Sequence, residues 1–113
     1  SPRPSSIRPA RQGVFDLLSA YAREHGTTVV VVEQKIALLS QYADVLVIVD
    51  EGRIRFADAP ANVLVHSDEL KRIGVNCPRS TTLMNRLAAE GAYAGPAVRN
   101  VQEACAALEQ VVA

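Results

Sequence analysis

The chain has 113 residues, of which 49% are hydrophobic, 21% are charged and 4% are aromatic. Twelve basic side chains balance twelve acidic ones, so charge gives no reason to expect binding to nucleic acid or to an anionic membrane surface. No apolar run approaches the roughly 18 residues of a membrane span, and the first residues lack the pattern of a signal peptide. We therefore expect a single cytoplasmic domain, or a piece of one.

The first predicted element is a helix. Three prolines in the first nine residues, SPRPSSIRP, disfavour regular structure before Pro9. From Pro9 onward, PARQGVFDLLSAYAREHG has apolar side chains at helical spacing, and Gly26 is a typical residue at a helix end. The apolar face of this predicted helix consists of Val14, Leu17, Leu18 and Tyr21.

The next elements predict an α/β fold. Residues 27–34, TTVVVVEQ, are too short and too rich in β-branched side chains for a helix, and they predict a buried, parallel strand. KIALLSQYA predicts a short helix. DVLVIVDEGRIRFADA predicts a second apolar strand, a tight turn at residues 50–52 and a third strand in which Ile54 and Phe56 alternate with their neighbours. This order of strand, helix and strand predicts a βαβ unit that carries an edge hairpin.

The second half of the chain is predicted to be helical. PANVLVHSDELKRIGV predicts two short helices, with Ser67 as the N-cap of the second and Gly74 as its end. RSTTLMNRLAAEG predicts a further helix, and NVQEACAALEQVVA predicts a last amphipathic helix that is capped by Asn100. The predicted division is therefore an α/β part over residues 1–64 and a helical extension over residues 65–113.

Glu33 and Gln34 end the run of valines abruptly. The carboxyl ends of parallel strands open onto the ligand crevice of an α/β sheet, so polar residues at this point are candidates for chemistry. The alternative is that both side chains only begin the following helix and meet water. Position alone leaves both interpretations open.

The order of these segments resembles a known family. The succession of EHGTTVVVVE, a polar position, YADVLVIVDEGRIRFADAPANVL and NVQEACAAL resembles the downstream half of ATP-binding-cassette (ABC) ATPases. In particular, it is similar to the ATPase subunits of energy-coupling-factor transporters, which import cobalt, nickel, biotin and other vitamins. The hairpin segment is similar to the family's YADRVIVLDEGRIVADGTPEEVL, and DELKRIGVNCPRSTTLMNRL is similar to its ELGLEPPPVTRLARRL. The resemblance implies the C-terminal part of a P-loop NTPase-like parallel sheet followed by a helical tail.

The resemblance also implies roles for particular residues. Gln34 falls where the family usually has the switch-loop histidine, which contacts the γ-phosphate of ATP and links the nucleotide state to closure of the ATPase dimer. A glutamine amide can donate a hydrogen bond to phosphate, but it cannot carry a proton near pH 7. SSIRPA is similar to the D-loop pattern SxLDPxG, which crosses the dimer interface in the family. This implies interface roles for Ser5, Ser6, Ile7 and Arg8.

Other features of the family pattern are missing from these 113 residues. Ser1 and Pro2 align with the family's metal-contacting Asp and general-base Glu, and neither side chain could do that work. The chain contains no GxxxxGK[ST] phosphate loop and no LSGGQ signature. We therefore expect ATP and Mg²⁺ only in a complete ATPase, and we expect this chain alone to be inactive.

The resemblance implies two partners. They are a second ATPase subunit and the membrane coupling subunit of the transporter, with the chain bound peripherally at the inner face of the cell membrane. The alternative function is a non-catalytic interaction or regulatory domain that kept the fold without the phosphate site.

Three further features are weaker candidates for chemistry. His66 lies beside Ser67 and Asp68, which suggests a hydrolase triad, but neighbours in sequence do not have triad geometry and Ser67 is the predicted N-cap. Cys77 and Cys105 are far apart and form no CxxC motif, so both are expected to be reduced thiols. We expect Cys77 to face solvent.

Overall fold

The computed structural model of the protein describes residues 7–112, and it describes the side chains from residue 12 onward. The chain divides into two compact units, Ser1–Gln34 and Lys35–Ala113. The elements in chain order are α1 (Ile7–His25), α2 (Ile36–Tyr42), β1 (Leu46–Asp50), β2 (Arg53–Asp58), α3 (Pro60–Leu64), α4 (Ser67–Arg72), α5 (Arg79–Ala89) and α6 (Val101–Val112). The predicted boundary between residues 64 and 65 stays a prediction.

Helix α1 is longer than predicted at its start and ends as predicted. It begins at Ile7, ahead of Pro9. Proline is tolerated in the first turn of a helix, because the backbone N–H groups of that turn have no acceptor within the helix and the missing N–H of proline costs no hydrogen bond. Gly26 has φ +60°, and the Thr27 N–H donates to the Ala22 carbonyl at 3.1 Å. A left-handed glycine at this position ends a helix without steric cost. Of the predicted apolar face, Val14, Leu17 and Tyr21 are more than half exposed, whereas the neighbouring Phe15 is buried.

The predicted parallel strand is wrong. Residues 27–34 form neither helix nor strand in the structure, and the side chains of Val30 and Val32 are 84% and 97% exposed. A β-strand exists only through hydrogen bonds to a neighbour, and within residues 7–112 β1 and β2 pair only with each other. The α/β class is retained, because helices pack with a small sheet, but the described sheet has two antiparallel strands rather than a parallel P-loop arrangement.

The predicted hairpin is confirmed. Strands β1 and β2 pair from Leu46 opposite Asp58 to Asp50 opposite Arg53, with a register shift after Ile48. Between the strands, Glu51 and Gly52 have φ +51° and +73°, the combination that matches the twist of a two-residue hairpin.

Strand β1 is covered on one face only. Leu46 and Ile48 are buried, whereas the side chains of Val47 and Val49 are exposed. Alternation of this kind follows from the period of two in a strand that has neighbours on one side.

Two hydrophobic clusters hold the second unit together. The first cluster brings together side chains from α2, β1, α3, α4 and the segment before α6: Ile36, Leu46, Ile48, Val63, Leu64, Leu70 and Ala97. The second joins α5 to α6 through Met84, Val98, Ala104 and Ala107. Because α2, α3 and α4 have only five to seven residues each, these tertiary contacts rather than helix propensity stabilise them.

The start and end of α4 test two further predictions. Gly74 has φ +92°, its N–H donates to the Lys71 carbonyl at 3.0 Å, and the Val75 N–H donates to the Leu70 carbonyl at 2.8 Å, so the predicted helix end is confirmed. The N-cap prediction for Ser67 is wrong, because α4 begins at Ser67 itself and His66 precedes it. The Ser67 hydroxyl instead accepts a hydrogen bond from the Asn85 side chain at 2.7 Å.

Candidate functional site

Gln34 lies at a bend just before α2. Its side chain is exposed, and its backbone N–H donates to Glu33 Oε2 at 2.9 Å. Lys35 is the N-cap residue of α2, with φ −90° and ψ 99°. Gln34 therefore does not lie at the carboxyl end of a strand, as was predicted. Its switch-loop role stays a prediction.

The predicted D-loop residues fall at the start of the chain. Ser5 and Ser6 lie outside the described residues. Ile7 and Arg8 form the first turn of α1, but their side chains are not among those described. Their interface role stays a prediction.

The described residues do not fit the phosphates of ATP. A phosphate loop needs glycines directly before a helix, so that backbone N–H groups at the helix N-terminus point at the phosphate. Here Gly26, Gly74 and Gly91 each follow a helix, and Gly52 lies in the hairpin turn. Gly13 lies inside α1, and Gly95 is separated from the start of α6 by several residues. Within residues 7–112, no three His, Cys, Asp or Glu side chains are grouped to hold a metal ion. Any nucleotide contact by Gln34 would therefore need a phosphate site supplied by other residues.

The structure assembles a polar cluster that the sequence interpretation missed. We call it the α2–α6 clasp, and it consists of Ser40, Gln41, Arg99, Asn100 and Glu103. Gln41 Nε2 donates to the Arg99 carbonyl at 3.3 Å, and Gln41 Oε1 accepts from Asn100 Nδ2 at 3.0 Å. Arg99 Nη1 donates to the Ser40 carbonyl at 3.4 Å. The end of α2 is thereby joined to the start of α6.

An ion pair lies inside the clasp. Arg99 donates from Nε and Nη2 to Glu103 Oε2 at 3.0 and 2.6 Å, and the Arg99 backbone N–H donates to Glu103 Oε1 at 2.8 Å. The side-chain hydrogen bond from Arg99 is the main reason that the pKa of Glu103 is lowered, and the same bond raises the pKa of Arg99. Both groups therefore stay charged at neutral pH.

Part of the clasp was visible in the sequence. The Glu103 N–H donates to Asn100 Oδ1 at 2.8 Å, so the predicted N-cap of α6 is confirmed. An Asn followed three residues later by Glu is a capping pattern, and it could have pointed to Glu103. Gln41 is 58 residues from Arg99, so no local pattern could have found that contact.

The His66, Ser67 and Asp68 run does not form a triad. The Ser67 side chain is 7% exposed and bonded to Asn85, and the His66 ring stacks on Phe56 with centroids 5.0 Å apart. A cleft of about 870 Å³ lies between α4 and α5, and charged side chains of both signs line it. A serine nucleophile needs an imidazole aimed at its hydroxyl, and none is aimed at Ser67 here.

The environment of Cys77 differs from the prediction. Its side chain is half-buried and packs against the first hydrophobic cluster, rather than facing solvent. Burial raises the pKa of the Cys77 thiol from 9.0 to about 11. Because the thiolate is the reactive form, Cys77 is a poor nucleophile at neutral pH.

Comparison with known proteins gives the family. No protein-family model matches the chain. The energy-coupling factor transporter ATP-binding protein EcfA2 of Symbiobacterium thermophilum is 31% identical over 103 residues, which is 91% of this chain and 35% of that protein. A putative ABC transporter ATP-binding protein of Methanosarcina acetivorans is 30% identical over 81 residues, 70% of this chain and 13% of that protein. EcfA2 of Bacillus cereus is 34% identical over 58 residues, 51% of this chain and 20% of that protein.

The chain belongs to the ATP-binding proteins of ABC transporters. The resemblance seen in the sequence is thereby confirmed, and the match is to a C-terminal part of these proteins. The chain spans about a third of the length of the Symbiobacterium relative and 13% of the length of the Methanosarcina relative. None of the helices within residues 7–112 combines the length and the apolar character needed to cross a membrane.

Several large apolar side chains are exposed on and beside the hairpin. Val47, Val49 and Ile54 of the hairpin are each more than half exposed, and so is Val45, which directly precedes β1. Contiguous exposed apolar surface commonly marks a contact with another protein segment.

Proposed function

We propose that the chain supplies the switch residue and the helical tail of an ATP-binding subunit in an energy-coupling-factor type importer. The observation that carries this proposal is the 31% identity to the Symbiobacterium EcfA2 protein over 91% of the chain. The cargo class that this family membership suggests is a metal ion or a vitamin. The subunit would couple ATP hydrolysis to transport at the membrane surface.

The proposed role of Gln34 is to contact the γ-phosphate when the ATPase dimer closes. Its amide can donate a hydrogen bond to a phosphate oxygen, and its exposed side chain can be reached by a ligand. A donor that meets phosphate only in the closed state acts mainly on turnover rather than on nucleotide affinity.

The proposed partners are a second ATPase subunit and the membrane coupling subunit. The exposed apolar side chains of the hairpin and of residues 27–34 support a place inside a larger assembly. Ser5, Ser6, Ile7 and Arg8 are the proposed contribution of the D-loop to the contact between the two ATPase subunits.

A chimera tests this function. The chain replaces the matching third of the Symbiobacterium EcfA2 protein, and ATP turnover and Mg-ATP affinity are measured with the partner subunits present. We expect an active chimera in which Gln34→Ala slows turnover and leaves the Kd of Mg-ATP unchanged, whereas Gln34→His sustains turnover. Gln102→Ala, the same chemical change at an exposed position on α6, is the matched control.

Two results would contradict the proposal. If Gln34→Ala turns over ATP as fast as the parent chimera, Gln34 is not a switch residue. If the chimera binds nucleotide but never hydrolyses it, the chain is better described as a non-catalytic interaction or regulatory domain.

A further inference from the structure

The α2–α6 clasp fastens one end of a helix whose other end adjoins Gln34. Helix α2 starts at Ile36, two residues after Gln34, and runs only to Tyr42. Ser40 and Gln41, the residues held by the clasp, lie in its last turn. The start of the C-terminal helix is therefore connected to the segment of Gln34 through a single short helix.

Helix α2 depends on contacts from outside itself. Its seven residues are fewer than the roughly 12 that an isolated helix needs, and Lys35 makes no side-chain cap hydrogen bond. At its start, Ile36 is buried in the first hydrophobic cluster. At its end, the Ala43 N–H donates to the Leu39 carbonyl at 2.8 Å, but the last turn has no basic residue of its own.

Arg99 supplies what the end of α2 lacks. Its guanidinium donates to the Ser40 carbonyl and brings a positive charge to the negative end of the helix dipole. Glu103 holds that guanidinium through both Nε and Nη2, so the Arg99 side chain is oriented before it reaches α2. Gln41 adds a second attachment, because its amide donates to Arg99 and accepts from Asn100.

We propose that Gln41 and Arg99 are positioning residues for Gln34, and that the C-terminal helix sets the rate of the switch step through them. This inference rests on the proposed function of Gln34. Without the clasp, α2 keeps the packing of Ile36 and Leu39 against the first hydrophobic cluster but loses the hydrogen bonds that join its last turn to Arg99 and Asn100. The segment before α2 then samples more orientations, and fewer of them place the Gln34 amide where it can donate to a phosphate.

The test uses the chimera described above, with Gln41→Ala and Gln102→Ala as a matched pair. Both replace an exposed helical glutamine, but only Gln41 belongs to the clasp. We expect Gln41→Ala to lower kcat about three- to tenfold with the KM for ATP unchanged, as for the loss of one or two hydrogen bonds. Gln102→Ala should leave both constants unchanged.

Hydrogen exchange of the 113-residue chain gives a readout that does not depend on ATP. Amides of α2 should exchange faster in Gln41→Ala than in Gln102→Ala, while amides of α5 keep their protection. The double variant Gln41→Ala/Asn100→Ala should slow turnover less than the product of the single effects, because the two side chains share a hydrogen bond. If Gln41→Ala does not fold, Arg99→Lys takes its place, since lysine keeps the charge but loses the two-nitrogen contact with Glu103.

The outcomes separate this inference from the proposed function. Normal kcat in Gln41→Ala together with slow turnover in Gln34→Ala would overturn the positioning role and leave the switch role intact. Normal turnover in Gln34→Ala would overturn the switch role, and the positioning role with it. Unchanged exchange of α2 in Gln41→Ala would show that the clasp does not hold the helix.

Discussion

Thr81 offers a direct test of how α5 is joined to the segment before α6. Its side chain is 0% exposed, and its hydroxyl donates to the Val98 carbonyl at 2.6 Å. Thr81→Val keeps the shape of the side chain but removes the donor. An unsatisfied buried polar group costs about 1–3 kcal/mol, and burial of the added methyl group offsets part of that cost. We therefore expect the free energy of unfolding to fall by about 1–2 kcal/mol.

The next residue provides the control. Thr82 is exposed on the same helix, and its hydroxyl is 3.5 Å from the Pro78 carbonyl, at the limit of a hydrogen bond. Thr82→Val makes the same chemical change, including the same change in helix propensity, so it should alter stability by no more than about 0.5 kcal/mol. Urea titrations followed by far-ultraviolet circular dichroism give both values. Equal stabilities for the two variants would refute the reasoning, because the buried bond would then contribute nothing.

Three further predictions concern the candidate site. Gln34→Ala in the chain alone should leave the free energy of unfolding within about 0.5 kcal/mol, because the side chain is exposed; a loss of several kcal/mol in urea would identify a structural amide. Mg-ATP should show no saturable binding to the chain alone in calorimetry, because the sequence holds no phosphate loop; micromolar affinity would contradict this. The pKa of Glu103 is held below its ordinary value of 4.5 by Arg99, so the carboxylate stabilises the fold above that pH and loses this effect as the pH falls through the lower, folded-state pKa. Wild type should therefore lose more stability than Glu103→Gln as the pH falls from about 6 to about 3, and parallel melting curves would refute the effect.

Four features that depend on neighbours in sequence agree with the predictions. The end of α1 at Gly26, the end of α4 at Gly74 and the cap at Asn100 each depend on a few consecutive residues. The hairpin turn is local in the same way, because Glu51 and Gly52 must both adopt positive φ. In each of these cases, the steric and hydrogen-bonding preference of one residue decides the backbone conformation.

Features that depend on distant partners were not predictable in this way. The four valines of residues 27–34 have strand composition, but composition cannot supply a neighbouring strand, and the described structure leaves them unpaired. Serine is a common N-cap residue, yet the Ser67 hydroxyl accepts a hydrogen bond from Asn85, 18 residues away. Cys77 was expected in solvent, and packing against the first cluster buried half of it.

The same distinction between local and distant interactions applies to the candidate site. The family resemblance and the place of Gln34 between an apolar run and a short helix are both properties of residue order, so they can be found without a structure. Only the tertiary structure brought Gln41 to Arg99 across 58 residues, and only it placed the Arg99 guanidinium on the last turn of α2. Side chains this far apart meet when the hydrophobic clusters have packed the helices that carry them, and no local pattern records that packing.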